Sequence, residues 1–182
     1  MFETSIRFAR HNFDNLQALA RFGDAKAGAI FAIVIFLVGT TATTLRDAAS
    51  HMSAQELPRI VRLGFWGSWG LFAVTAIILA RDLYRVVLPR VASHYLQPDK
   101  NRDLMYWKHI LLHDSNESYF QTLRTIDETG ELRNISDQVY ELAHIVNAKM
   151  NYLNRAQEAL KICVAFWIAG IIWAMTILTT SH

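Results

Sequence analysis

Two histidines, His109 and His113, stand four residues apart and so share one face if their segment is helical, a spacing that can hold two ligands of a metal ion. No third donor is evident beside them, and an interfacial or core role is the plainer reading. Further along, His144, Asn147, Asn151 and Asn154 recur at 3-4-3 spacing and form a polar, uncharged stripe. Such a row suits a hydrated face, interhelical hydrogen bonds or recognition of a base edge. Tyr106, Trp107, Tyr119 and Tyr140, with Arg102, Lys108, Arg124 and Lys149, could supply stacking and phosphate contacts to a nucleotide, or could form part of a core. The chain has no Gly-rich phosphate loop, nucleophile elbow, HExxH or paired-cysteine motif, so no catalytic residue, metal or cofactor is expected.

The elements that must position these side chains are set by an uneven distribution of charge. Of 182 residues 52% are apolar, and residues 27–45, 63–80 and 162–180 are uncharged runs of 19, 18 and 19 residues. Each is long enough, at about 1.5 Å per residue, to cross a hydrocarbon core of about 30 Å. The alternative is three buried helices of a soluble bundle, but those normally keep a polar stripe, and these runs carry only Thr and Ser, which can bond their own helix. The first run follows about 26 residues containing acids, bases and aromatics, which makes it a retained anchor rather than a signal peptide. Trp66 and Trp69 suit an interfacial belt, whereas Trp167 and Trp173 lie deeper and are expected between helices. Gly28, Gly64, Gly67, Gly70 and Gly170 offer places for close helix approach. The single cysteine, Cys163, is expected to be a packing residue.

Lysine and arginine before the first run and after the second place the N-terminus and residues 81–161 in the cytoplasm. The expected organisation is a cytoplasmic helix over 1–26, spans over 27–45, 63–80 and 162–180, an external loop over 46–62 and a cytoplasmic helical region over 81–161. Phe2, Ile6, Ala9, Phe13, Leu16 and Ala20 make one stripe, for which packing on another cytoplasmic helix competes with lying on the membrane surface. Pro89 ends the extension of the second span. Asp114 with Glu117 suggests a capping box for a helix through about Asp127, closed by Gly130. Val139, Leu142, Val146, Leu153 and Leu160, with Lys149 and Ala156, fall on heptad-like positions of a helix that can continue from 131 to 180, about 75 Å. The fold class is an all-α membrane protein whose three transmembrane helices are continuous with a cytoplasmic helical bundle.

Asp24-Lys26-Ala27 at the first span, Tyr106-Trp107 with Ile110, Glu117 with Tyr119-Phe120, and Gln138-Val139-Tyr140 with Leu142-Ala143, Ile145, Lys149 and Leu153 follow one another in an order that resembles the Pycsar transmembrane effector family. The similarity covers nearly the whole chain. It implies a bacterial antiphage effector in the inner membrane, acting beside a nucleotide cyclase whose product, cyclic CMP or cyclic UMP, is sensed by the cytoplasmic helices. It further implies a homo-oligomer that compromises the bilayer and causes abortive infection. Tyr106, Trp107, Tyr119, Tyr140, His144 and Lys149 become the ligand-binding candidates. Asp24 and Lys26, facing Arg155 and Lys161 at the other helix-to-membrane junction, become candidates for gating or interhelical charge pairing. The net charge of +2 is too small to point to a nucleic acid polymer. A membrane-anchored scaffold binding a partner protein and a membrane hydrolase using His109 and His113 are the alternatives.

Overall fold

The computed structural model describes residues 2–54, 57–88, 104–105 and 107–179, and among these every regular element is helical. Five helices follow in order: α1 (Phe2–Ala54), α2 (Arg59–Val87), α3 (Trp107–Ile110), α4 (Asn116–Arg124) and α5 (Glu128–Thr179). The three long ones, α1, α2 and α5, are long and apolar enough to cross a membrane. α1 runs on to Ala54 because no proline stands before Pro58, so the connection expected over 46–62 is largely helix. α2 stops at Val87, two residues before Pro89, as a residue preceding proline disfavours the helical conformation.

Contacts divide the chain into two compact units. One comprises Gly23–Leu88 and Met150–His182 and contains all three apolar runs. Its core is a row of inward positions on each helix: Ala27, Ile30, Val34 and Leu37 on α1, Phe65, Trp69, Phe72 and Leu79 on α2, and Leu153, Ala156, Cys163, Ala174 and Ile177 on α5. The outward positions are equally apolar, with Ile35, Phe36, Ile77, Ile172 and Met175 more than half exposed. Water would penalise that surface, whereas lipid tails solvate it. The soluble-bundle alternative is thereby disfavoured, and the chain is a membrane protein.

Within this unit α2 and α5 pack antiparallel in a fixed register. Trp173 lies against Gly64, where a Cβ would overlap its indole ring, and Trp69 lies against Gly170, where a Cβ would come within 2.7 Å of it. Thr75 stands beside Cys163, and Arg85 stands over the ring of Tyr152. From Gly64 to Arg85 on one helix, and from Trp173 back to Tyr152 on the other, both chains advance by 21 residues, about 30 Å of continuous contact. The glycines supply the close approach expected of them at these two positions only. Gly28, Gly67 and Gly70 meet nothing nearby. Trp66 is exposed as an interfacial residue should be, but Trp69 is buried, edge-on to Phe65 and Phe72, which corrects its assignment to the belt. The hydroxyls solve their own desolvation: Thr41 donates to the carbonyl of Leu37 (2.7 Å), Ser68 to that of Gly64 (2.7 Å) and Thr176 to that of Ile172 (2.9 Å).

The second unit comprises Met1–Phe22 and Pro89–Lys149. The stripe expected on the N-terminal helix is present from Ile6 onward, with Ile6, Ala9, Phe13, Leu16 and Ala20 half-buried, whereas Phe2 at the helix start is exposed; Arg10 is ion-paired with Glu131. α1 therefore packs on α5 here rather than lying alone. The heptad-like positions of α5 are likewise inward, Val146 fully so. The cap of α4 differs from the expected box. Ser115, in an extended conformation, accepts the Ser118 N–H (3.1 Å), and the Glu117 carboxylate instead accepts from the Gln121 amide one turn on. α4 closes at Arg124, and Gly130 belongs to the first turn of α5. Asp127 caps that turn by accepting the Gly130 N–H at 2.7 Å, and no described glycine has the positive φ that a closing role would use.

Candidate functional site

The second unit, Met1–Phe22 with Pro89–Lys149, is organised around one short backbone segment. Leu104 is buried; its N–H donates to the side-chain carbonyl of Asn134 (2.7 Å), and its carbonyl accepts from the Tyr119 hydroxyl (2.8 Å). Asn134 in turn donates from its amide nitrogen to the Gly130 carbonyl (2.9 Å). Both backbone groups of a non-helical residue are thus satisfied by side chains from α4 and α5, which fixes the segment between them. Beside this clamp lies an open cavity of about 590 Å³ lined by Leu104, Gln121, Thr122, Thr125, Ile126, Asp127, Gly130 and Asn134. Its lining holds two amides, two hydroxyls, a carboxylate and two apolar side chains, and these polar groups also bond within the protein: Gln121 donates to Glu117, Thr122 to the Ser118 carbonyl and Thr125 to the Thr122 carbonyl. Arg124, on the same helix as Gln121 and Thr122, stands over the Phe120 ring at 5.9 Å.

The six ligand-binding candidates are not gathered into this cavity. Tyr106 and the side chain of Trp107 lie outside the described residues. Tyr119 is committed to Leu104 and to a ring contact with His113 at 5.2 Å. Tyr140 is exposed and meets His144 edge-on at 4.6 Å, one turn away on α5. Lys149 is half-buried at the last position of the unit. Asn147, Asn151 and Asn154 are all exposed, as a hydrated face requires. His109 is buried, and no group of three or more His, Cys, Asp or Glu able to hold a metal occurs among the described residues. The cavity residues gave little signal in sequence, because Gln, Thr and Asp beside a cap are ordinary helix-end residues. The one available cue was the spacing Gln121, Thr122, Thr125, which puts all three on one side of α4.

A second groove, about 550 Å³, runs between Thr4, Ser5, Phe8, Ala9 and Asn12 of α1 and Leu132, Ser136 and Val139 of α5. It is mostly apolar and flanked by the exposed ring of Phe8.

The junction candidates all belong to the membrane unit. Lys161 donates to Glu158 at 2.6 Å, one turn away on the same helix, and Arg155 stands over the Tyr152 ring at 5.8 Å. Asp24 is exposed and Lys26 half-buried; both take part in side-chain interactions.

The family model of the Pycsar effector protein domain, PycTM, matches residues 8–179. The chain belongs to the Pycsar effector family. That span takes in most of α1, all of α2 and α5, the Leu104 clamp and the cavity beside it. The protein is accordingly a Pycsar antiphage effector seated in a membrane, and such effectors belong to systems that include a cyclase. No curated protein and no solved structure matches the chain.

Proposed function

We propose that this Pycsar effector acts without catalysis, as a receptor for a cyclic pyrimidine mononucleotide, cyclic CMP or cyclic UMP, that oligomerises and breaches the bacterial inner membrane. The match over residues 8–179 carries this reading. The N-terminus and the 81–161 region face the cytoplasm, where a cyclase would release its product, and the C-terminus faces outward. Three spans are too few for a conduit through one chain, so a lesion requires several copies.

Two features support a ligand-driven switch. The cavity beside Leu104 has the size and polarity for a mononucleotide, and its walls come from α4 and from α5, whose helix continues unbroken into the membrane unit. The exposed Tyr140–His144 pair and Lys149 offer stacking and phosphate contacts on the same α5 helix, with Tyr106, Trp107 and Tyr119 completing the set of aromatic candidates. A few kcal/mol of differential affinity for one packing of such helices suffices to shift their population. At the junctions, Asp24 and Lys26 would exchange partners with Arg155 and Lys161 between the two states.

Co-expression with a cyclase that makes cyclic CMP or cyclic UMP should depolarise the membrane, read with a potential-sensitive dye, while cyclic AMP and cyclic GMP cyclases leave it polarised. Lys26→Ala and Lys149→Ala should impair depolarisation with insertion unchanged. A protein that depolarises equally with no cyclase, or with all of them, is not a receptor of this kind.

A further inference from the structure

At the end of the α2–α5 pair where both helices acquire charge, one aromatic ring holds two cations. The Arg85 guanidinium carbon lies 5.4 Å from the centre of the Tyr152 ring, and that of Arg155 lies 5.8 Å from it. All three residues belong to the membrane unit, on α2 and α5. Neither guanidinium is paired with a carboxylate among the described residues; Glu158, one turn from Arg155, is engaged by Lys161. Two like charges drawn to one ring repel each other, and an anion between them would relieve that repulsion.

The height of this cluster says which anion is at hand. The contact of Trp69 with Gly170 lies close to the middle of both apolar runs. Arg85 is 16 residues beyond Trp69 and Arg155 is 15 residues before Gly170, about 24 and 22 Å along the helices. The headgroup zone of a bilayer ends about 20–22 Å from its midplane. Both residues therefore stand at the outer edge of the headgroup zone, and the Arg85 stem leans back along α2 towards the lipid phosphates. Guanidinium is the side chain best shaped for phosphate, because its planar fork gives two parallel hydrogen bonds. The half-buried Arg85 is held in place by the same α2–α5 register that seats the tryptophans on their glycines.

We infer that Arg85, Arg155 and Tyr152 form a binding site for the phosphate of an anionic phospholipid, which clamps α2 to α5 at the membrane surface. The shared chemistry is a phosphate anion; the source is the bilayer rather than a soluble phosphate.

The test uses the full chain in neutral detergent, titrated with phosphatidylglycerol or phosphatidylcholine, with retained lipid counted by native mass spectrometry. The wild type should prefer phosphatidylglycerol by about tenfold or more, and Arg85→Gln with Arg155→Gln should abolish the preference, since each cation near an anionic surface contributes about 1 kcal/mol. Arg59→Gln, which removes a charge at the opposite end of α2, should keep it. Retention of the preference by the double glutamine variant overturns the site, as does an equal loss in Arg59→Gln. If the glutamine pair fails to fold by circular dichroism, the lysine pair decides. It keeps both charges but not the forks, so it should lose part of the preference, and full retention overturns recognition by guanidinium. Inorganic phosphate should leave lipid retention unchanged at millimolar concentration; displacement of the lipid by it would make this a soluble-phosphate site and overturn the lipid assignment.

Discussion

The membrane unit and the second unit are built from the same two long helices but are held by different forces. In the first, shape does the work: tryptophan rings fill the space left by glycines on the facing helix, and hydroxyls are consumed by their own backbone. In the second, cohesion comes from side chains that reach across to another element's backbone or charge, as Asn134 and Tyr119 do at Leu104 and Arg10 does at Glu131. The contrast follows from the solvent. Lipid gives apolar helices no reason to associate, so close packing must supply it, whereas in water apolar burial drives association and hydrogen bonds choose the geometry.

If that contrast is right, the two units should fail differently. The largest effect is expected from Gly170→Leu, which drives a side chain into the Trp69 indole. Overpacking costs about 1–3 kcal/mol and more where neighbours cannot give. The variant should insert poorly and melt well below the wild type by circular dichroism in detergent, whereas Gly70→Leu, which faces open space, should not. Next comes Asn134→Ala, which strands the Leu104 N–H, a loss of about 1–3 kcal/mol. Faster amide exchange at Leu104 and along α4 is the expected readout, with the spans still protected; loss of protection in the spans too would abolish the distinction between the units. Ser115→Ala should destabilise α4 by about 1 kcal/mol in the same exchange measurement, and Asp114→Ala should not do so through the cap. Smallest is Arg10→Ala, an exposed pair contributing about 1 kcal/mol or less and screened by salt, so its effect should vanish above roughly 0.5 M salt.

Sequence made the membrane unit easier to read than its partner, for the same physical reason. Uncharged length is a local property, so 27–45, 63–80 and 162–180 were legible, as were the inward stripes of α1 and α5. Which tryptophan faces lipid is not local: Trp66 and Trp69 differ by three residues, and only Gly170 on another helix separates their environments. The cap of α4 was misplaced by one residue because Asp114 and Ser115 are both good caps, and backbone conformation chooses between them. The ligand candidates were picked as aromatic and basic residues. Tyr119 shows what residue type alone leaves open: its hydroxyl donates to the buried Leu104 carbonyl, a contact set by an element 15 residues away.

The paired glycine seats have one further consequence. With each indole set into a notch on the opposite helix, α2 and α5 are joined as a dovetail joins two boards: they can part face to face but resist sliding, because a shift of one turn brings Phe166 or Ala174 to the place of Gly170. A breach of the bilayer of the kind proposed would therefore carry these two helices together or pull them fully apart. A cross-link between Thr75→Cys and the native Cys163 tells the two cases apart: an effector that still depolarises with the bond closed moves the pair as one.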